Sequence, residues 1–273
     1  MAEKISIELG NIQKTLLFPL WGRANESKRE KPFMKDNTAV EIINKIDYDF
    51  STFENKLNKL TRFAWIARSL NIDATVTHHL FIHPDATIVN IGCGLDTTFD
   101  RIDNGLLKWY DLDLPDVMML RKEFIHDNDR RKSIICSFLD DSWFEQIKGN
   151  KNILFIAAGV LYYIEESQIR KFLLKLADNS PESELIFDAA SKRGLKASNE
   201  RVIKEVGMDE NSMLKWGVDS TKVIQSWDRR IKVINEYPIF KKVRNKLHLK
   251  GRLATLLSDV LNIMYMVHLK FVK

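Results

Sequence analysis

Gly92, Cys93, Gly94, Leu95 and Asp96 form the spacing in this chain most suited to chemistry. Two glycines one residue apart let the backbone turn sharply and approach a ligand that a Cβ would exclude. The turn follows the apolar run 86–91, and a second run, 107–110, delivers Asp111 and Asp113 one strand-helix-strand unit later. An acid in that place can accept hydrogen bonds from ribose hydroxyls. The pattern predicts a nucleoside-cofactor site, with Asp113 ahead of Asp111 as ribose acceptor and the other acid capping the helix that begins near Pro115. In a dinucleotide turn, a third glycine lets helix and strand close around a pyrophosphate, but here Thr97 occupies that position. An NAD-linked oxidoreductase is therefore disfavoured, and S-adenosylmethionine, which has no pyrophosphate, suits the spacing.

Such a turn needs a sheet to hold it. The runs 87–91, 108–112, 133–138, 153–157 and 184–188 are short, β-branched and nearly all apolar, as strands buried on both faces of a parallel sheet must be. Segments 115–126, 143–147 and 167–179 between them suit crossover helices. A sixth strand is expected at 230–234. The tail 266–273 alternates apolar and polar residues, which marks a half-buried strand added last and antiparallel. The sum is an α/β fold with a mainly parallel seven-stranded sheet and an antiparallel last strand. Before Pro84 the periodicity is helical, at 38–46 and 53–81, which predicts an N-terminal helical lid over 1–84 and a core over 85–273. Residues 191–226 fit no strand and are expected as a helical cap insertion, packed by Met208, Met213 and Trp216.

Composition excludes several partners. The chain has 273 residues, 45% of them hydrophobic, enough for a full core. Its net charge of +5, from 42 basic and 37 acidic residues, is too small and dispersed to imply nucleic acid. The densest basic run, Lys241, Lys242, Arg244, Lys246, Lys250 and Arg252, reads as a solvated helix face. Cys93 and Cys136 give neither a disulfide framework nor metal-ligand spacing, so a reducing cytoplasm and no metal are expected. Glu3, Lys4 and Glu8 stand where a signal peptide needs an apolar run. The apolar stretch 253–269 is interrupted by Asp259 and closed by Lys270 below spanning length, so it reads as buried structure, with no membrane partner. His78 and His79 precede Pro84 as surface or cap residues rather than bases.

Three further segments complete a pattern. The run Ala67-Arg68-Ser69-Leu70-Asn71-Ile72-Asp73, the turn with its preceding His83-Pro84-Asp85, the run Trp109-Tyr110-Asp111-Leu112-Asp113-Leu114-Pro115, and 153–163 ending in Ala158-Gly159-Val160-Leu161-Tyr162-Tyr163 together resemble the leucine carboxyl methyltransferase family. That family includes bacterial O-methyltransferases of the polyketide-biosynthesis type. The opening Thr15-Leu16-Leu17-Phe18-Pro19-Leu20-Trp21-Gly22-Arg23-Ala24 is also similar to its bacterial members. The resemblance implies a class I, Rossmann-like S-adenosylmethionine fold. It also implies that Arg68 pairs with the methionine carboxylate of the cofactor, a role suited to a bidentate guanidinium. By the same resemblance Gly92 and Gly94, with Cys93 and Asp96 in their turn, approach the cofactor, Asp113 binds the ribose, and Ser137 and Phe138 flank the adenine.

One position departs from the pattern. Ala158 stands where many members carry glutamate near the methionine end of the site, so a binder that has lost catalysis is an alternative to an enzyme. Tyr162 and Tyr163 follow the fourth strand on the ligand edge of such a sheet, and Tyr163 matches a family tyrosine. Trp21 and Arg23 are candidates for a substrate-facing lid. The expected activity is O-methylation of a small-molecule carboxylate or hydroxyl. A carboxylate needs no general base, and none can be assigned from the sequence.

Overall fold

The computed structural model describes residues 4–7, 9, 10 and 12–273. Glu3 and Glu8, on which the export reading drew, lie outside the described residues. The N-terminal part is helical because its apolar residues recur three and four apart and polar caps start its helices. A two-residue parallel ladder joins β1 (Ile5–Ser6) to β2 (Ile46–Asp47). Around it lie α1 (Leu17–Ser27), α2 (Asn37–Lys45), α3 (Ser51–Lys56) and the long α4 (Lys59–Ile82). Asp36 caps α2 by accepting from the Ala39 N–H at 2.9 Å, and Asn58 caps α4 by accepting from the Thr61 N–H at 2.9 Å. The single helix expected over 53–81 is therefore two. Leu57 is extended, and the Asn58 side chain makes a new start more favourable than continuation. Phe18, Trp21, Phe53 and Trp65 interlock by edge and stacked contacts and bind these helices into one apolar unit.

Seven strands make the main sheet: β3 (Thr87–Ile91), β4 (Lys108–Asp113), β5 (Arg131–Ile135), β6 (Ile153–Ala157), β7 (Glu184–Ala190), β8 (Ile231–Pro238) and β9 (Met264–Phe271). Their order is β5-β4-β3-β6-β7-β9-β8. The first five are mutually parallel; β9 pairs antiparallel with both β7 and β8, so β9 alone runs against the rest. This is the class I methyltransferase arrangement, as expected. The third strand ends earlier than 138, which leaves Ser137 and Phe138 in the loop beyond its carboxyl end.

The crossovers are α5 (Thr98–Ile102), α6 (Pro115–Lys122), a 3-10 turn at Ser142–Ile147 and α7 (Glu166–Asn179). Ile169, Phe172, Leu173 and Leu176 of α7 cover one sheet face, while Ala67, Ile72, Val76 and Leu80 of α4 cover the other. Residues 191–226 hold α8 (Lys192–Ser198), a π-helical turn at Asn199–Ile203, a 3-10 turn at Glu210–Ser212 and α9 (Lys222–Ser226). Met208 and Met213 pack against the N-terminal helices, and Trp216 joins the sheet core.

Two expectations are corrected. His79 is buried, not a surface residue: its Nε2 lies 2.9 Å from the Asn152 carbonyl and its Nδ1 lies 3.7 Å from Glu184. The stretch 253–269 is only partly buried, because β9 is inside but α10 (Leu249–Val260) turns its leucines to solvent. No helix among the described residues is long and apolar enough to cross a membrane.

Candidate active site at the carboxyl edge of the sheet

At the carboxyl ends of β3, β4 and β6 the chain forms a partly open cavity of about 290 Å³, near the lower end of the ~300–1,000 Å³ typical of ligand pockets. Its floor is the glycine turn. Gly92 and Gly94 have φ of +59° and +47°, the left-handed region that favours glycine, and a Cβ on Gly92 would sit 2.5 Å from Val160 Cγ2. Cys93, Asp96, Asp113, Ser137, Phe138 and Ala158 line the same space, as do Arg68, Tyr162 and Tyr163. The structure thus brings most of the sequence-selected residues together.

Asp113 closes the turn. Its Oδ2 accepts from the Gly94 N–H at 2.7 Å and its Oδ1 from the Leu114 N–H at 2.8 Å. Burial raises its pKa, and these two N–H donors oppose that rise. Asp111 is different. It does not line the cavity, nor does it cap α6; its carboxylate accepts from Arg121, Arg131 and the Trp109 indole at 2.7–2.9 Å. Burial raises its pKa, but those two arginines prevail and hold it below the ordinary value. The reading of Asp111 as cofactor-facing is therefore corrected. Alternation along β4 sends its side chain to the same side as Asp113, but one residue pair deeper into the core.

Arg68 reaches the cavity from the middle of α4. Its Nη1 donates to Asp188 Oδ2 at 3.1 Å and to the Tyr162 hydroxyl at 2.9 Å, while Nε and Nη2 donate to nothing among the described residues. One edge of the guanidinium is thus anchored and the other is free for a carboxylate. Asp188 Oδ1 also accepts from the Gly159 N–H at 2.6 Å, which locks the loop after β6 to the same anchor. Burial opposes the Arg68 charge, but Asp188 outweighs it and raises the pKa. Burial, with Asp188 next, pushes the Tyr162 hydroxyl well above its usual range, and burial raises Tyr163 as well. Neither tyrosine is ionised at neutral pH.

The lid candidates separate. Arg23 lines the cavity, but its Nε pairs with Asp36 at 2.8 Å and its Nη2 donates to the Leu95 carbonyl at 2.9 Å, so it holds the turn rather than a substrate. Trp21 does not reach the cavity. It is buried against Phe53, under the Arg62 guanidinium, and the substrate-facing reading is corrected for it. Ile12, Thr15, Leu16, Phe18 and Pro19 form the roof instead.

Sequence reasoning missed Asp188, Gly159 and Arg121. Arg121 Nη1 donates to the Gly94 carbonyl at 2.7 Å. Asp188 could have been found from its place near the carboxyl end of a parallel strand, where open α/β sheets bind ligands. Asp96, opposed by burial but drawn down by Arg101, Arg23 and Arg121, titrates at about 2 and stays charged beneath the turn. No group of three or more potential metal ligands occurs among the described residues.

Comparison with known proteins decides the family. Residues 17–177 match the leucine carboxyl methyltransferase family, more than half of the chain and all of the cavity floor up to β7. The chain belongs to that family. Its cofactor is S-adenosylmethionine. Among related proteins, the tetracenomycin polyketide synthesis O-methyltransferase TcmP of Streptomyces glaucescens is 28% identical over 223 residues, 81% of this chain and 80% of its own length. The S-adenosyl-L-methionine-dependent methyltransferase dpfgK of Gibberella zeae is 23% identical over 206 residues, 68% of this chain and 69% of its own. In fold, the chain is similar to a crystal structure from Thermobifida fusca that carries a methyltransferase assignment, with a TM-score of 0.56, 11% identity, and coverage of 92% of this chain and 94% of that one.

The residues present fit S-adenosylmethionine. The left-handed glycine turn brings bare backbone to the cavity, where a Cβ on Gly92 or Gly94 would push the lining side chains Val160 and Leu16, and Arg68 keeps an unpartnered edge.

Proposed function

We propose that this chain transfers a methyl group from S-adenosylmethionine to an oxygen of a small molecule, and that the acceptor is a carboxylate in preference to a hydroxyl. The observation that carries the acceptor class is the lack of a competent base. Among the described residues no histidine lines the cavity, both tyrosines hold their protons more tightly than free tyrosine, Asp96 is too weakly basic at about 2, and Asp113, although burial raises its pKa, has both oxygens engaged by the Gly94 and Leu114 N–H groups. A carboxylate is nucleophilic at neutral pH without losing a proton, whereas a hydroxyl needs a proton acceptor in reach. Similarity to TcmP supports oxygen as the acceptor atom.

In this reading the cofactor supplies, when bound, an electrophilic methyl on a sulfonium. The free edge of Arg68 holds its carboxylate, Asp113 accepts from its ribose, Gly92 to Gly94 give it backbone room, and Ser137 and Phe138 border its base. Residues 1–84 act as a lid on the core 85–273, with 191–226 as a second cap. Thr15, Leu16 and Phe18 roof the cavity and exclude water, which favours a reaction in which opposite charges cancel. Alignment and desolvation are what the chain contributes.

The specific observation favouring a second reading, binding without transfer, is Ala158, which puts no carboxylate at the methionine end. Incubation with methyl-labelled S-adenosylmethionine and a panel of aromatic acids and phenols separates the readings. Transfer to an acid, giving an alkali-labile ester, is the expected result. Transfer only to phenols, giving an alkali-stable ether, overturns the carboxylate preference, and cofactor binding without transfer to any compound overturns the activity.

A further inference from the structure

α10 is amphipathic in the reverse sense. Thr255 and Asp259 are its buried residues, while Leu249 and Val260 are 72% and 73% exposed and Leu253, Leu256 and Leu257 between them are also exposed. At about 3.6 residues per turn these five fall in one stripe of roughly 100°. Lys250 and Arg252 flank the stripe, one on each side, and both are exposed. A helix that turns leucines to water and hides a threonine and an aspartate has its apolar face matched to something outside the fold.

Charge indicates what that is. From 241 to 258 the sequence has Lys241, Lys242, Arg244, Lys246, Lys250 and Arg252 and no acidic residue. Arg244 is paired with Asp259, but the other five stay exposed to solvent. Gly194 of α8 backs against the Ile263 carbonyl just beyond α10, and its neighbours Lys192, Arg193 and Lys196 are exposed and basic too. An apolar stripe with a cationic border fits an anionic phospholipid surface, with leucines entering the acyl boundary and lysines reaching the headgroups. A second copy of the chain fits poorly, since facing two α10 stripes together would bring two cationic borders together with no acid of the segment to pair them.

Topology gives the contact a use. Because β9 is antiparallel, its first residue, Met264, pairs with Ala190 at the carboxyl end of β7, the edge on which the cavity lies. α10, ending four residues earlier, is therefore delivered to the cavity side of the sheet.

We propose that the exposed leucine face of α10, bordered by Lys250 and Arg252, seats the protein on an anionic membrane surface with its ligand edge toward the bilayer. This revises the sequence expectation of no membrane partner, with the chain lying on the surface and not crossing it.

Co-sedimentation with large unilamellar vesicles tests it. The full chain is expected to pellet with phosphatidylserine–phosphatidylcholine vesicles, to stay in the supernatant with phosphatidylcholine alone, and to be released as salt rises. The double variant Leu253→Glu, Leu257→Glu, at solvent-facing positions, is expected to keep its melting temperature and to lose vesicle binding by about tenfold or more. Lys250→Glu is expected to weaken binding to the anionic vesicles in the same direction. Failure of the full chain to bind anionic vesicles at low salt overturns the proposal. So does a wild-type dimer in sedimentation velocity that the double glutamate variant dissolves, because a second copy then covers the stripe.

Discussion

Gly159 and Arg68 show how one Cβ separates a working site from a blocked one. Gly159 has φ of +79°, and a Cβ there would lie 2.6 Å from Arg68 Nη1, so alanine would strain the backbone and displace the guanidinium. Gly105 has nearly the same φ, +80°, with nothing within 4 Å of its would-be Cβ. Both alanine variants are expected to lose about 1–2 kcal/mol of stability from the left-handed backbone. Only Gly159→Ala should also weaken S-adenosylmethionine binding, by about tenfold or more, as charge-assisted hydrogen bonds are misaligned. Chemical denaturation and calorimetric titration of the pair check this. Equal binding losses in both would remove the Arg68 contact as the cause.

Two buried arginines from different elements hold the glycine turn. Arg23 of α1 takes the Leu95 carbonyl and Arg121 of α6 takes the Gly94 carbonyl, so cover and core fix the same loop from two sides. Arg23 also pairs with Asp36, itself the α2 cap, and both are almost fully buried. Without Arg23, Asp36 still pairs with Arg101 at 2.9 Å, so what is lost is one charge-assisted bond and the donor to the buried Leu95 carbonyl, and Arg23→Ala is expected to cost about 1–3 kcal/mol. Its melting temperature should fall, with the turn loosened; a melting temperature equal to wild type would show that α1 does not hold it. The elements themselves were largely legible from the sequence. The runs at 87–91 and 153–157 coincide with β3 and β6, because strands buried on both faces leave an unbroken apolar signature. Other features were hidden for physical reasons. The Asn58 cap is a local hydrogen bond that periodicity does not see, and the Arg68–Asp188 pair joins residues 120 positions apart. Asp111 and Asp113 look alike in sequence and differ only in what the folded chain places around them.

Charge is laid out differently at the two ends of the whole molecule. At the amino end of β7, away from the cavity, Glu184 sits 2.9 Å from His268 Nε2 of β9 and 3.7 Å from His79 of α4, tying three elements together. The imidazoles of His268 and then His79 beside it hold the Glu184 pKa well below the ordinary carboxylate value. A depressed folded-state pKa means stability that is present above the unfolded value of about 4.5 and lost as pH falls below it. Wild type should therefore melt higher than Glu184→Gln at pH 6, and the gap should close as pH drops through the acid range. Melting curves from pH 3 to 7 check this, and a gap that widens with acid would reverse the sign.

At the cavity end, the same molecule presents an uncommitted guanidinium edge and a bare-backbone turn to one small ligand. Arg68→Lys keeps a cation beside Asp188, so it isolates the free edge from the fold. Calorimetric titration of S-adenosylmethionine into wild type and Arg68→Lys is the most direct measurement. One-site binding by wild type, weakened about 10–150-fold in the variant at unchanged melting temperature, is the expected result. Equal affinities in the two proteins, or no binding by wild type at millimolar cofactor, would contradict the account.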